Sequence, residues 1–259
     1  MIHNKTQQFF QSFLNENSKV LDVGGGINSF KGSTHILDLV EPDKNLSNKL
    51  PNFKKENYLK HDILNIPWPY EDKFFDFSIC SQTLEDLRDP IIVCKELKRV
   101  SKAGFISCPT RAQESNNKIF NRSKIEKNLI GYYHHRWFVE IDEDCLVFIH
   151  KNDILYNNPN LTINKVGQKN LNFFWSENFN FKEKLISKEN SIEDCLVFKT
   201  EHEKWYRRSK KNYDYTRYNY APHRFSEFLK NCSHEFELSN NLKNSLKHHV
   251  KNFLDKFIK

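Results

Sequence analysis

The segment VLDVGGG, residues 20–26, decides how this chain of 259 residues folds. Its apolar residues form a short run typical of a buried parallel strand. The three glycines that follow allow a sharp turn of the backbone where a ligand approaches closely. A second apolar run, HILDLV at 35–40, contains Asp38 and predicts the next strand. A carboxylate at that strand end can accept two hydrogen bonds from ribose hydroxyls, so the pair predicts a ligand that contains a ribose.

The residues that follow the glycines narrow the choice of ligand. The dinucleotide fingerprint needs a third glycine, and counting from Gly24 and Gly26 places Ser29 at that position. This disfavours a nicotinamide-dependent oxidoreductase. No Gly-Lys-Ser/Thr follows the turn, which excludes a phosphate-binding Walker loop. S-adenosylmethionine contains adenosine but no phosphate and fits such a loop; the alternative is a purely structural glycine turn.

Two later segments predict further strands of the same sheet. In YLKHDILNIPW, residues 58–68, Asp62 and Ile63 follow a third strand, where a carboxylate can take the adenine amino group and an apolar neighbour can lie against the ring. The segment FFDFSICSQTLEDLRDP, residues 74–90, predicts a fourth strand that leads into a loop and a helix over 91–100.

The order of VLDVGGG, LDLVEP, HDI, FDFSICSQTLEDLRDP and GFISCPT resembles the class I S-adenosylmethionine-dependent methyltransferases, in their small-molecule branch. The resemblance covers roughly residues 18–110. It implies an α/β, Rossmann-like fold with a mostly parallel seven-stranded sheet, helices on both faces and an elaborated C-terminal half. It also implies S-adenosylmethionine as the cofactor. The cofactor-binding residues it implies are Asp22, Gly24, Gly25, Gly26, Asp38, Leu39, Asp62, Ile63, Ser81 and Gln82.

The chain departs from this family pattern in two places. The connection at 27–35 is short and contains Asn28, Phe30 and Gly32, so we expect a turn or two there instead of a full helix. After the fourth strand, Glu85 and Asp86 stand where many relatives carry Glu-His. The second departure removes the commonest candidate base at that position.

The chain divides into three segments along the sequence. Residues 1–110 are the expected cofactor-binding half, 111–200 the late strands and substrate-specificity insertions, and 201–259 a basic-aromatic segment with a C-terminal helix. Alternating or apolar runs at 136–141 and 145–150 predict a β-hairpin. The hexapeptide EDCLVF occurs at 143–148 and again at 193–198, and we interpret the two copies as two strands of similar composition.

The segment GYYHHRWFVE, residues 131–140, holds the strongest catalytic candidates outside the cofactor half. One histidine of His134 and His135 can act as a general base, and Arg136 can bind an anionic group. On a strand the two imidazoles would point to opposite faces, so we expect no metal site. Glu114, just after the fifth strand, is a further catalytic candidate. The alternatives are a surface or structural histidine pair and an exposed loop carboxylate.

The net charge and the pattern of cysteines limit which partners and which redox compartment we expect. The formal net charge is +7, and residues 204–224 interleave Lys and Arg with Tyr and Trp. We interpret it as a solvated surface segment; the alternatives, which explain it equally well between them, are a nucleic-acid contact and a site for an anionic small molecule. The six cysteines are scattered without a CxxC pair, so we expect buried free thiols and a reducing compartment.

No apolar run approaches the roughly 20 residues that a membrane-spanning helix needs, and residues 1–11 lack the pattern of a signal peptide. We therefore expect a cytoplasmic protein without a transmembrane segment. Residues 241–259 predict an amphipathic helix. Core packing or a homodimer contact explains this helix, and adsorption to a membrane surface is the alternative.

The sequence thus predicts an S-adenosylmethionine-dependent methyltransferase. The acceptor is expected to be an oxygen or nitrogen of a small polar molecule, with anionic and sugar-like molecules among the candidates. Two alternatives stay open at this point: an RNA methyltransferase that uses 204–224, and a non-catalytic binding protein with the same fold.

Overall fold

The computed structural model describes residues 9–11, 14–15, 17–42, 50, 53–116, 129–152, 158–187, 189–212 and 219–220. These residues form two sheets and several helices. The strands of the larger sheet are β1 (Val20–Val23), β2 (His35–Asp38), β3 (Tyr58–Lys60), β4 (Phe75–Ser81), β5 (Ser101–Pro109), β8 (Asn170–Ser176) and β10 (Asn219–Tyr220). The smaller sheet contains β6 (Trp137–Asp142), β7 (Cys145–His150) and β9 (Asn180–Lys184). The α-helices with full bounds are α1 (Pro90–Val100), α2 (Arg111–Glu114) and α3 (Ser191–Asn212).

The larger sheet has seven strands in the order β3-β2-β1-β4-β5-β8-β10. Strands β1 to β5 pair with their neighbours in parallel, β8 is antiparallel to β5, and β10 is parallel to β8. The expected mostly parallel α/β sheet is confirmed. Because the first five strands run in one direction, the loops after β1, β2, β3 and β4 meet at one edge of the sheet.

Both faces of this sheet are covered by apolar side chains. Leu21 and Val23 of β1 join a core cluster with Val93 and Leu97 of α1. Val20, one position along the strand, joins a different cluster that includes the phenylalanines of the helical residues 9–11. Successive strand side chains point to opposite faces, so the two clusters lie on the two sides of the sheet.

Helix α1 confirms the helix predicted after the fourth strand. Asp89 caps its first turn, since the Asp89 carboxylate accepts hydrogen bonds from the backbone nitrogens of Ile91 and Ile92 at 3.0 and 3.3 Å. Pro90 occupies the first helical position, where its missing N–H costs nothing. The cap fixes where the loop after β4 ends, and that loop belongs to the candidate site.

The short connection between β1 and β2 also agrees with the prediction. Only a single 3-10 turn, Gly26–Asn28, follows the glycines. The chain then returns through Phe30, whose side chain is fully buried among other aromatic rings. A phenylalanine therefore fills the space that a full crossover helix would cover.

The repeated hexapeptide corrects one prediction. The first copy lies in the predicted hairpin, whose strands β6 and β7 pair antiparallel around Glu143 and Asp144. The second copy, predicted as a strand, lies in helix α3. There Cys195 and Phe198 are buried three positions apart, while Leu196 and Val197 are exposed. Burial on one helical face, set by the surrounding chain, outweighs the shared local sequence.

Parts of three other predictions fall outside the described residues. These are the C-terminal helix over 241–259 with its dimer contact, Cys232, and most of 213–224. The other five cysteines, Cys80, Cys94, Cys108, Cys145 and Cys195, are free thiols, and all but Cys145 are buried. Among the described helices, none combines the length and apolar character needed to cross a bilayer.

The two copies of EDCLVF predict opposite effects of the same substitution. Glu143 lies in the left-handed region at φ 55°, which favours glycine, whereas Glu193 lies in the first turn of α3. We expect Glu143→Gly to raise the free energy of unfolding by about 0.5–1 kcal/mol and Glu193→Gly to lower it by a similar amount. Urea-induced unfolding of both variants measures the difference; equal signs would contradict the assigned conformations.

Candidate functional site

The side chain of Asp22 holds the glycine turn in place. Its carboxylate is buried, and Oδ2 accepts hydrogen bonds from the backbone nitrogen of Phe30 at 2.7 Å and from Ser33 Oγ at 3.5 Å. Burial raises the pKa of this carboxyl to about 7, against the opposing hydrogen bond from Phe30. A Cβ on Gly25 would lie 2.4 Å from Asp22 Oδ1, so glycine is required there. The carboxylate thus sets the shape of the turn.

The other two glycines bring the turn close to neighbouring loops. A Cβ on Gly24 would lie 2.6 Å from the side chain of Thr83, in the loop after β4. A Cβ on Gly26 would lie 3.3 Å from Asp38 Oδ2, at the end of β2. Both glycines have positive φ, at 73° and 48°. The glycine turn, the end of β2 and the loop after β4 therefore surround one crevice.

The remaining predicted cofactor residues lie at the same sheet edge. Asp62 follows β3, and its Oδ1 accepts a hydrogen bond from the backbone nitrogen of Leu64 at 2.9 Å. Ile63 beside it is buried, whereas Leu39 after β2 is exposed. Ser81 is the last residue of β4, and Gln82 follows it with a φ of 57°.

The two candidate histidines are brought together, in contrast to the strand expected at that point. Strand β6 begins only at Trp137, and the residues before it form a turn. The ring centroids of His134 and His135 lie 4.4 Å apart in an edge-to-face arrangement. Both Nε2 atoms face Asp86: the distances to Asp86 Oδ1 are 3.9 Å from His134 and 3.5 Å from His135. The two imidazoles therefore do not point to opposite faces of a strand, as the sequence had led us to expect.

Glu114 is a buried ionic centre, not an exposed loop residue. Its Oε1 accepts a hydrogen bond from His135 Nδ1 at 2.6 Å, and its Oε2 accepts one from Lys151 Nζ at 2.8 Å. The Lys151 ammonium also donates to the carbonyl oxygen of Tyr132 at 2.8 Å. A carboxylate only accepts, so His135 Nδ1 carries a proton, and the Nε2 atom of the same ring faces Asp86.

These contacts shift the pKa values of the cluster in different directions. Burial alone would raise the pKa of Glu114, but the hydrogen bond from His135 and the charge of Lys151 hold it below its ordinary value. Burial opposes charge on His135, yet its hydrogen bond to Glu114 raises its pKa above the ordinary value. Burial and the neighbouring His135 lower the pKa of His134. The exposed imidazole is thus the one favoured in its neutral form.

The backbone ties this cluster to the loop after β4. The carbonyl oxygen of Glu85 accepts a hydrogen bond from the Arg136 nitrogen at 2.7 Å. The nitrogen of Asp86 donates to the carbonyl oxygen of Thr83 at 3.1 Å, and Thr83 packs against Gly24. The histidines and the glycine turn therefore contact the same short loop. The Arg136 side chain is exposed beside them.

Residues 21–107 match the family model described as "Methyltransferase domain". This segment of the chain is therefore similar to a methyltransferase domain. The matched segment runs from β1 to β5 and contains the crevice described above. The match implies S-adenosylmethionine as the cofactor. A search of curated proteins found no match to the chain.

Solved structures show limited similarity to the methyltransferase domain. A SAM-dependent methyltransferase from Aquifex aeolicus is 22% identical over 46% of this chain and 68% of its own, with a TM-score of 0.31. The YcgJ protein from Bacillus subtilis is 14% identical over 41% and 50%, also at 0.31. An S-adenosylmethionine-dependent methyltransferase from Mesorhizobium loti is 13% identical over 57% and 64%, at 0.32. The chain thus spans half to two thirds of their length.

Two residues of this site were not predictable from the sequence. Lys151 follows an apolar strand without any local signal, and its role depends on a contact with Glu114, 37 positions away. For Asp86 the sequence offers one signal, namely that it stands where many relatives carry a histidine. An acid at that position can face a histidine from a distant part of the chain, as it does here.

The ionic contact between Lys151 and Glu114 predicts a strong stability effect. Lys151→Met leaves Glu114 buried with one cation fewer, and we expect the free energy of unfolding to fall by about 3–5 kcal/mol. Adding Glu114→Gln to that variant removes the uncompensated charge and should restore part of the loss. Denaturant titration of the single and double variants checks this; a double variant that is less stable than Lys151→Met would contradict it.

Proposed function

We propose that this protein transfers the methyl group of S-adenosylmethionine to an oxygen or nitrogen of a small polar acceptor. The observation that carries the proposal is the position of the two imidazoles, which contact the loop after β4 beside the cofactor crevice. This loop lies within the segment that matches the family model, and residues 134–136, which contact it, lie outside that segment. The acceptor then binds between the crevice and residues 131–136.

The crevice fits the cofactor in shape and in its donor and acceptor groups. The glycine turn leaves space that a Cβ on Gly26 would fill, and the Asp38 carboxylate faces that space. Asp38 is the residue that we assign to the ribose hydroxyls, and Asp62 with Ile63 the pair for adenine. Backbone and side chains of Asp22, Gly24, Gly25, Gly26, Leu39, Ser81 and Gln82 complete the proposed cofactor site.

The methyl donor is already activated as a sulfonium, so the protein needs mainly to align the acceptor and take up a proton. We assign the proton transfer to His134. Its side chain is 52% exposed, whereas that of His135 is 7% exposed. The lowered pKa of His134 favours the neutral imidazole, which can accept a proton. His135, between Glu114 and Asp86, holds the segment in position.

Arg136 supports an acceptor that carries an anionic group. Its backbone nitrogen is fixed by Glu85, while its guanidinium is exposed next to the histidines. A guanidinium binds carboxylate or phosphate through two parallel hydrogen bonds. An anionic or sugar-like metabolite that bears such a group is therefore the acceptor class that we favour.

The described part of the basic-aromatic segment favours this acceptor over RNA. Trp205, in helix α3, is only 8% exposed and joins the main core cluster. The edge of its ring packs near Gly167. A base cannot stack on a ring that is already covered by the protein, so this tryptophan is not a nucleic-acid contact.

Calorimetry with S-adenosylmethionine and with its demethylated product tests the cofactor assignment. We expect Asp38→Ala to weaken both affinities about 10–100-fold, because it removes hydrogen bonds to a charged group. The matched control is Glu41→Ala, an exposed acid three positions along the chain. Failure of the wild type to bind either compound would refute the assignment, as would equal losses in both variants.

An acceptor screen with methyl-labelled cofactor tests the proposed reaction. Once an acceptor is found, we expect His134→Ala to lower kcat about 10²–10⁴-fold with little change in the KM for S-adenosylmethionine, because the base acts in the chemical step. His150→Ala, at an exposed histidine of β7, serves as the control and should keep wild-type kcat. Unchanged kcat in His134→Ala would exclude it as the base, and no transfer to any acceptor would favour a binding protein.

A further inference from the structure

Three neighbouring side chains, those of Asp86, His134 and His135, hold possible metal-ligand atoms close together. One atom each from Asp86, His134 and His135 lies within 4.8 Å of the other two. The two measured edges of this triangle, 3.5 and 3.9 Å, run from Asp86 Oδ1 to the Nε2 atoms. Tetrahedral zinc bonds of about 2.0–2.1 Å place neighbouring ligand atoms roughly 3.3 Å apart. A small inward movement therefore produces a metal-binding geometry.

The surroundings of His135 supply a second, independent observation. Its Nδ1–H donates to Glu114 Oε1 at 2.6 Å, which leaves the Nε2 atom directed at Asp86. A histidine that ligates a metal ordinarily gives its other ring N–H to a carboxylate or carbonyl in this manner. Glu114 is itself held by Lys151 at 2.8 Å. The ligand orientation is thus already built before any ion binds.

Exposure and ligand type indicate which ion fits. The side chains of Asp86 and His134 are 41% and 52% exposed, so an ion can reach them from solvent. Two imidazoles and one carboxylate suit Zn²⁺ and its transition-metal neighbours, whereas Mg²⁺ and Ca²⁺ prefer oxygen ligands. Three protein ligands leave one position for water or another small ligand.

We propose that Asp86, His134 and His135 bind a divalent transition-metal ion of the Zn²⁺ type, which inhibits methyl transfer by occupying the imidazole of His134. An imidazole nitrogen that is bonded to a metal cannot accept a proton. The inhibitory part rests on the proposed function, in which His134 is the base; the binding part does not. This site replaces the sequence-based expectation of no metal.

Titration of the full-length protein with Co²⁺, followed by visible absorption, tests the binding part. We expect one equivalent to bind and to develop the d–d bands of a low-symmetry site. His134→Ala and Asp86→Asn should each weaken binding more than tenfold, and both residues are exposed enough for the variants to fold. His150→Ala should bind as the wild type does. No Co²⁺ binding by the wild type, or equal binding by all variants, overturns the proposal.

The inhibitory part has its own readout. Added Zn²⁺ should suppress methyl transfer by the wild type over the concentration range in which it displaces Co²⁺, and a chelator should restore the rate. The residual activity of Asp86→Asn should need at least tenfold more Zn²⁺ for the same suppression. Stimulation by Zn²⁺ overturns inhibition and the base role of His134 together.

Calorimetry on the same samples separates the two proposals. Binding of S-adenosylmethionine and methyl transfer without Co²⁺ binding would overturn the metal site and leave the proposed function standing. Co²⁺ binding that depends on Asp86 and His134, in a protein that does not bind S-adenosylmethionine, would overturn the proposed function and leave the metal site standing.

Discussion

The buried charge of Glu114 is the constraint on which the histidine cluster, the proposed acceptor side of the molecule, depends. A carboxylate in that position is costly unless cations and hydrogen bonds compensate it. His135 and Lys151 supply both, one from the turn before β6 and one from the residue after β7. Helix α2, which carries Glu114, directly follows β5. One carboxylate therefore connects the family-matched sheet to the hairpin and orients the imidazole that faces Asp86.

A second buried carboxyl group, that of Asp22, orders the part of the molecule that we propose for the cofactor. Asp22 holds the glycine turn through the backbone nitrogen of Phe30, and this fixes a connection that contains no full helix. Gly24 then packs on Thr83, whose loop continues to Asp86. The two carboxylates are joined through this loop, so the positions of the cofactor crevice and the histidine cluster are not independent.

The first half of the fold could be predicted because its signals are local. Apolar runs that end in glycine or aspartate identify β1 and β2, and the amphipathic pattern over 91–100 identifies α1. The ionic contacts around Glu114 could not be predicted in the same way, because Glu114 and Lys151 are distant in sequence and their pairing depends on tertiary packing. The hexapeptide EDCLVF shows the limit most clearly: its first copy forms a turn followed by the start of strand β7, and its second copy lies in helix α3, since different neighbours bury different faces.

A crystal structure with the demethylated cofactor product tests the central claim most directly, namely that one crevice joins the glycine turn to the histidine cluster. We expect the ribose hydroxyls to lie within hydrogen-bond distance of Asp38 and the sulfur to be directed to the side where His134 and Asp86 lie. A product bound with its ribose away from Asp38, or with its sulfur directed away from residues 131–136, would contradict it.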